Sequence, residues 1–139
     1  GQMLDLEAET RPFSLAETSE MQMMKTGALI SCAAISGGVV GGADDQLLAA
    51  QAAYAKHLGL AFQIADDLLD YDGDSTVLGK PAGQDAVRGK TGFVALMGGD
   101  AAAAEAKRLI DEANNALAPW QGAGKYMQDL AVFAITRKT

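Results

Sequence analysis

Residues 62–70 read FQIADDLLD, from Phe62 to Asp70. On a helix advancing about 100° per residue with Gln63 as origin, Asp66 falls at about −60°, Asp67 at about +40° and Asp70 at about −20°. Gln63 and the three aspartates thus share an arc of about 100°, while Ile64, Ala65, Leu68 and Leu69 fill the opposite side to varying degrees. Like charges at this spacing repel by a few tenths of a kcal/mol per pair. They also lie near the expected carboxyl end of their helix, where the dipole disfavours anions. A divalent cation removes both costs. Clustered hard oxygens suit Mg²⁺, which seldom occupies an all-protein cage and is commonly shared with substrate phosphates. A solvated acidic helix face explains the same pattern, and on this segment alone both readings stand.

Working outward, the neighbours add weight to the cation reading. The segment downstream carries Lys80 and Lys90, suited to phosphate oxygens. Upstream, Lys25 and Thr26 interrupt an apolar helix, where a buried lysine is costly unless an anion meets it. His57 lies outside these groupings and reads as a helix-surface histidine. The 139 residues carry a net charge of −7, which argues against a nucleic-acid partner, since phosphate backbones require a basic surface. Small phosphorylated substrates remain compatible, because a few placed lysines and metal ions suffice to bind them.

The organisation reads as all-α. Hydrophobic residues make up 49% of the chain, enough for a core. Ser14 followed by Glu17 predicts a capping box and a helix from Leu15 that weakens at Gly27 and loses support at Gly37-Gly38. Asp44 is expected to cap a longer helix from Asp45 to Tyr71, with Gly73 as its stop. Residues 73–90 read as a long polar loop of the kind that serves active sites. A short helix from Thr91 to Met97 follows. Asp100 then caps a helix reaching Leu117, Pro119 ends it, and a last helix covers Gly124 to Arg137. The uncharged stretch from Thr26 to Ala43 approaches spanning length, but its glycines and serines favour a buried core helix over a membrane span. Cys32, the sole cysteine, reads as core packing, and the chain is expected in a reducing, cytoplasmic compartment. GQMLDLEAE lacks the basic-then-apolar pattern of a signal peptide.

Taken together, FQIADDLLDYDGDSTVLGKPAGQDAVRGK, KTGALI at Lys25–Ile30 and the opening GQMLDL resemble elements of the trans-prenyltransferases, the polyprenyl synthetase family. The first is similar to that family's second aspartate-rich region, FQxxDDxxD followed by GK, an aspartate and GK. The order and approximate spacing agree over nearly the whole chain, and bacterial farnesyl or geranyl diphosphate synthases are the nearest in character.

The resemblance implies a helical bundle of the isoprenoid synthase type. It also implies condensation of an allylic diphosphate with isopentenyl diphosphate, with Mg²⁺ assisting departure of pyrophosphate. By it Asp66 is a metal ligand, and Asp67 and Asp70 act directly or through metal-bound water. Lys25, Lys80 and, less directly, Lys90 hold the diphosphate. Thr26 and Gln63 turn oxygens toward the allyl cation, Phe62 lies near the isopentenyl chain, and Asp85 orients a loop lysine. A homodimer is implied for the full-length form.

Two departures stand out. After the second GK the chain reads Thr91, Gly92, Phe93, with a glycine ahead of the aromatic. The family's first aspartate-rich motif does not occur in these residues, so the resemblance implies a carboxyl-terminal portion, residues 1–139, inefficient as a catalyst by itself. Such a portion is expected to expose apolar surface and to self-associate. A non-catalytic helical partner and a class I terpene cyclase are the alternatives. The intact Lys25, Gln63, Asp66 and Asp67 favour an enzyme over the first, and the GK–Asp–GK run favours a prenyltransferase over the second.

Overall fold

Asp44 Oδ1 accepts a hydrogen bond from the Leu47 backbone N–H at 2.8 Å, and from this cap grows the helix about which the others are arranged. The computed structural model of the chain describes residues 1–78 and 92–137, leaving aside the side chains of 72–78 and of Gln121. Seven α-helices are seen among the described residues: α1 (Gln2–Ala8), α2 (Leu15–Gln22), α3 (Ala28–Val40), α4 (Asp45–Leu78), α5 (Phe93–Met97), α6 (Gly99–Ala116) and α7 (Lys125–Thr136). A π-helical turn, Met23–Gly27, joins α2 to α3, and a 3₁₀ segment, Ala118–Gly124, joins α6 to α7. No strand occurs among the described residues, as the all-α reading expects.

The expected capping box is present. Ser14 Oγ accepts from the Glu17 N–H, and Glu17 Oε2 accepts from the Ser14 N–H at 2.8 Å. That bond from Ser14, with Arg11 alongside, holds the exposed Glu17 carboxyl down at about 2. Helix α4 does not stop at Gly73, contrary to expectation, but runs to Leu78. One interior glycine costs a helix only about 1 kcal/mol, less than an established helix can carry. Gly37 and Gly38 likewise fail to end α3. The helix closes at Gly42, with φ +74°, where Gly42 N–H meets Val39 O and Ala43 N–H meets Gly38 O. This is a Schellman closure, in which the left-handed residue is a glycine. Helix α6 begins at Gly99, so Asp100 lies within its first turn and is not its cap.

The core sits between α4 and α6. Tyr54, Leu58, Ala61 and Ile64 of α4 face Ala102, Ala106, Leu109, Ile110 and Ala113 of α6. The alanines let two helices approach, and their spacing makes one apolar stripe. Tyr54 Oη donates to Met127 O at 2.7 Å and fastens α7 to α4. Trp120 Nε1 donates to Leu47 O at 3.2 Å and fastens the 3₁₀ segment to the start of the same helix.

Leu15–Val40 forms one apolar rod of 26 residues, long enough by length and composition to cross a membrane. The expectation that its apolar stretch is a buried core helix is corrected: only 11% of its most apolar window is buried. One side packs on α4, while Leu29, Val39 and Val40 on the other are exposed. Cys32 lies on that exposed side, so its reading as core packing is corrected too. His57 is at the surface of α4, with Nδ1 3.2 Å from Glu112.

Candidate active site

The π-helical turn carries Lys25 and Thr26 and ends at Gly27, which meets α4 at Gly59. A Cβ placed on Gly59 would lie 3.1 Å from Gly27 Cα and 3.6 Å from the Met23 sulfur, so the two backbones approach closely there. Residues four, seven and eleven positions after Gly59 fall within about 40° of it around α4. Those residues are Gln63, Asp66 and Asp70. The face of α4 that receives the Lys25-Thr26 turn is therefore the face that carries Gln63 and two of the three aspartates.

Lys25 is exposed, not buried as its apolar surroundings suggest. Its Nζ pairs with Asp5 Oδ2 of α1 at 2.6 Å. The amino end of α1 is pressed on the same turn, where a Cβ on Gly1 would come within 2.6 Å of Lys25 Cα. Thr26 and Gln63 are half-buried.

Each aspartate of the DDxxD segment has a different environment. Asp66 is exposed and lies 3.1 Å from Arg137 Nη2, at the end of α7. Arg137 also donates to Ala134 O, and its guanidinium carbon lies over Phe62, 4.2 Å from the ring centre. Asp67 is half-buried, and its Oδ2 accepts from Val94 N–H of α5 at 2.8 Å. Burial raises the Asp67 carboxyl above its ordinary value, with Asp70 and Asp66 adding to the rise while the N–H donors of Val94 and Phe93 oppose it. Asp70 is exposed. Among the described residues no three metal-ligating side chains converge on one point. Lys80, Asp85 and Lys90 lie outside the described residues.

Beside Phe62 opens a cavity of about 490 Å³ between α3, α4 and α7, almost wholly apolar. Phe62, Tyr54, Leu58 and Gln51 of α4, Gly37 of α3 and Arg137 are among the residues that line it. Gln51 Oε1 is buried there without a hydrogen-bond partner among the described residues.

Arg137 and Asp5 are the residues that sequence reasoning passed over. A signal for Arg137 exists: Met127, Leu130, Ala134 and Arg137 follow at helical spacing, and all four line the cavity.

The family profile described as polyprenyl synthetase matches residues 1–121. The chain is 38% identical over 138 residues to a dimethylallyltranstransferase of Fischerella ambigua, covering 99% of this chain and 40% of that protein. It is 41% identical over 118 residues to a farnesyl diphosphate synthase of Escherichia coli, covering 84% of this chain and 40% of that protein. The apo crystal structure of an FPP/GFPP synthase from Zymomonas mobilis superposes with a TM-score of 0.81 at 34% identity, over 96% of this chain and 43% of that one. The chain thus spans about 40% of the length of these relatives.

Proposed function

This chain belongs to the polyprenyl synthetase family, and on that premise we propose that it supplies the diphosphate-ionising side of a prenyltransferase site. The reaction is the condensation of an allylic diphosphate with isopentenyl diphosphate. The observation that carries the reading is the seating of the Lys25-Thr26 turn on Gly59, against the face of α4 that presents Gln63, Asp66 and Asp70.

The residues present fit a magnesium ion. Asp66 is exposed and already draws a cation, the Arg137 guanidinium. Asp70 follows one turn later on the same face. Asp66 and Asp70 would hold Mg²⁺ with the substrate's phosphate oxygens, and the ion would neutralise the departing pyrophosphate. Lys25, exposed and paired with Asp5, grips the same anion as a point charge. Lys80 and Lys90 add to that grip. Thr26 and Gln63 present neutral oxygens toward the developing allylic cation, stabilising charge without offering a strong nucleophile. Phe62 presents an apolar ring to the second substrate's chain. Pyrophosphate itself takes the final proton, so no protein base is needed.

The test is a thermal-shift measurement with Mg²⁺ and pyrophosphate on this chain. Wild type is expected to be stabilised, and Asp66→Ala to lose most of the gain. An equal shift in the mutant would remove Asp66 from the site and with it this reading.

A further inference from the structure

We propose that Asp67 is a positioning residue that caps α5 from the neighbouring helix α4, and not a metal ligand. The proposal deepens the reading above and rests on it for the place of the metal.

Helix α5 begins at Phe93, and the first N–H groups of any helix lack partners within it. A serine, threonine, asparagine or aspartate at the preceding position ordinarily accepts from one of them. Here that position is Gly92, which has no side chain to offer and makes no such bond. The missing acceptor comes from across the bundle: Asp67 Oδ2 takes the N–H of Val94, the second residue of α5, at 2.8 Å. The other oxygen faces the same place. A Cβ built on Gly92 would lie 2.4 Å from Asp67 Oδ1 and 2.6 Å from Oδ2. Gly92 has φ −90° and ψ 171°, an ordinary extended conformation open to any residue. A side chain there would displace the Asp67 carboxylate, the end of a rotatable side chain, from the volume it occupies.

Both Asp67 oxygens are therefore directed at Gly92–Val94, whereas its neighbours Asp66 and Asp70 are exposed. The middle aspartate ties the start of α5 beside Asp66. It serves the site through the backbone it holds.

Asparagine separates the two roles, since it keeps an acceptor oxygen and caps as well as aspartate but loses the charge a metal needs. The experiment measures Val94 amide exchange by NMR and Mn²⁺ binding in the presence of pyrophosphate by electron paramagnetic resonance. Asp67→Asn is expected to leave both within about two-fold of wild type. Asp67→Ala and Gly92→Ala are each expected to speed Val94 exchange about five- to ten-fold, as for a lost cap, and to weaken Mn²⁺ binding. Unchanged Val94 exchange in Asp67→Ala overturns the proposal. So does Mn²⁺ binding lost equally in Asp67→Asn and Asp67→Ala. Asp66→Ala provides the separate control: if it leaves Mn²⁺ binding intact, the metal reading of the site fails, while Val94 exchange still decides the role of Asp67.

Discussion

The guanidinium of Arg137 spans two residues of α4, pairing with Asp66 at 3.1 Å while lying 4.2 Å over the ring of Phe62. Asp66 is thus met by a cation from the end of α7, and a metal entering at Asp66 competes with it. The Asp66 side chain is 59% exposed, so solvent screens the pair heavily. Removing the guanidinium with Arg137→Ala is expected to cost less than about 1 kcal/mol in stability. It should raise the affinity for Mn²⁺ alone by about three- to five-fold. A Mn²⁺ titration followed by paramagnetic resonance checks this, and unchanged or weaker binding refutes the competition.

Lys25 and Asp5 form an analogous pair at 2.6 Å, both sides exposed. Lys25→Ala is expected to leave the melting temperature nearly unchanged and to weaken Mg²⁺-pyrophosphate binding about ten-fold, the scale of one hydrogen bond to a charged group. Calorimetric titration measures it. Wild-type affinity in the variant would take Lys25 out of the anion site.

The contact of Gly27 with Gly59 predicts opposite outcomes for two glycines. Gly59→Val forces a side chain against the backbone of a neighbouring helix and is expected to destabilise by about 1–3 kcal/mol. Gly37→Ala meets no atom within 4 Å and lies in a helix. It is expected to stabilise by about 0.5–1 kcal/mol. Urea denaturation reads both, and a neutral Gly59→Val would show that the two helices do not depend on this approach.

Tyr54 is buried, and burial pushes its phenol up to about 12 from an ordinary 10.0. A group raised in the folded state contributes stability that is complete below its unfolded value and is lost as pH climbs through the folded value. Stability is therefore expected to fall between pH 10 and about 12 as unfolded chains ionise first. Tyr54→Phe should remove that part of the decline and cost about 1 kcal/mol at neutral pH through the bond lost to Met127 O. Denaturant curves at neutral pH and across the alkaline range test the sign. An identical alkaline slope in both proteins counts against it.

Local signals carried much of the fold. Ser14 with Glu17 and Asp44 before an apolar period are short-range codes, and both caps form as written. Stops were less legible. Gly73 and Gly37-Gly38 disfavour helix by amounts that neighbouring helical turns outweigh, so α4 and α3 run past them. The exposure of Cys32 was hidden because an apolar stretch states a wish for cover without naming what provides it. Within the site, the helical wheel placed Ile64 and Ala65 inward correctly, and both are buried. It could not reveal that Asp67 reaches Val94 or that Arg137 reaches Asp66, partners 27 and 71 residues away. Gly92 stood out in the sequence only as a departure from the family's pattern, and in the structure it lies where a side chain would meet the Asp67 carboxylate.

The π-helical turn at Met23–Gly27 holds one residue more per hydrogen-bonded ring than the helices on either side. It acts as a phase shifter: the downstream rod is indexed about 100° away from where uninterrupted α-helix would carry it. Shortening the turn by one residue would let the helix wind regularly, and Lys25 and Gly27 would no longer address Asp5 and Gly59 together. Alignment of Lys25 with the aspartate-bearing helix thus depends on a single surplus residue, making this chain more sensitive to a one-residue deletion there than to most substitutions nearby.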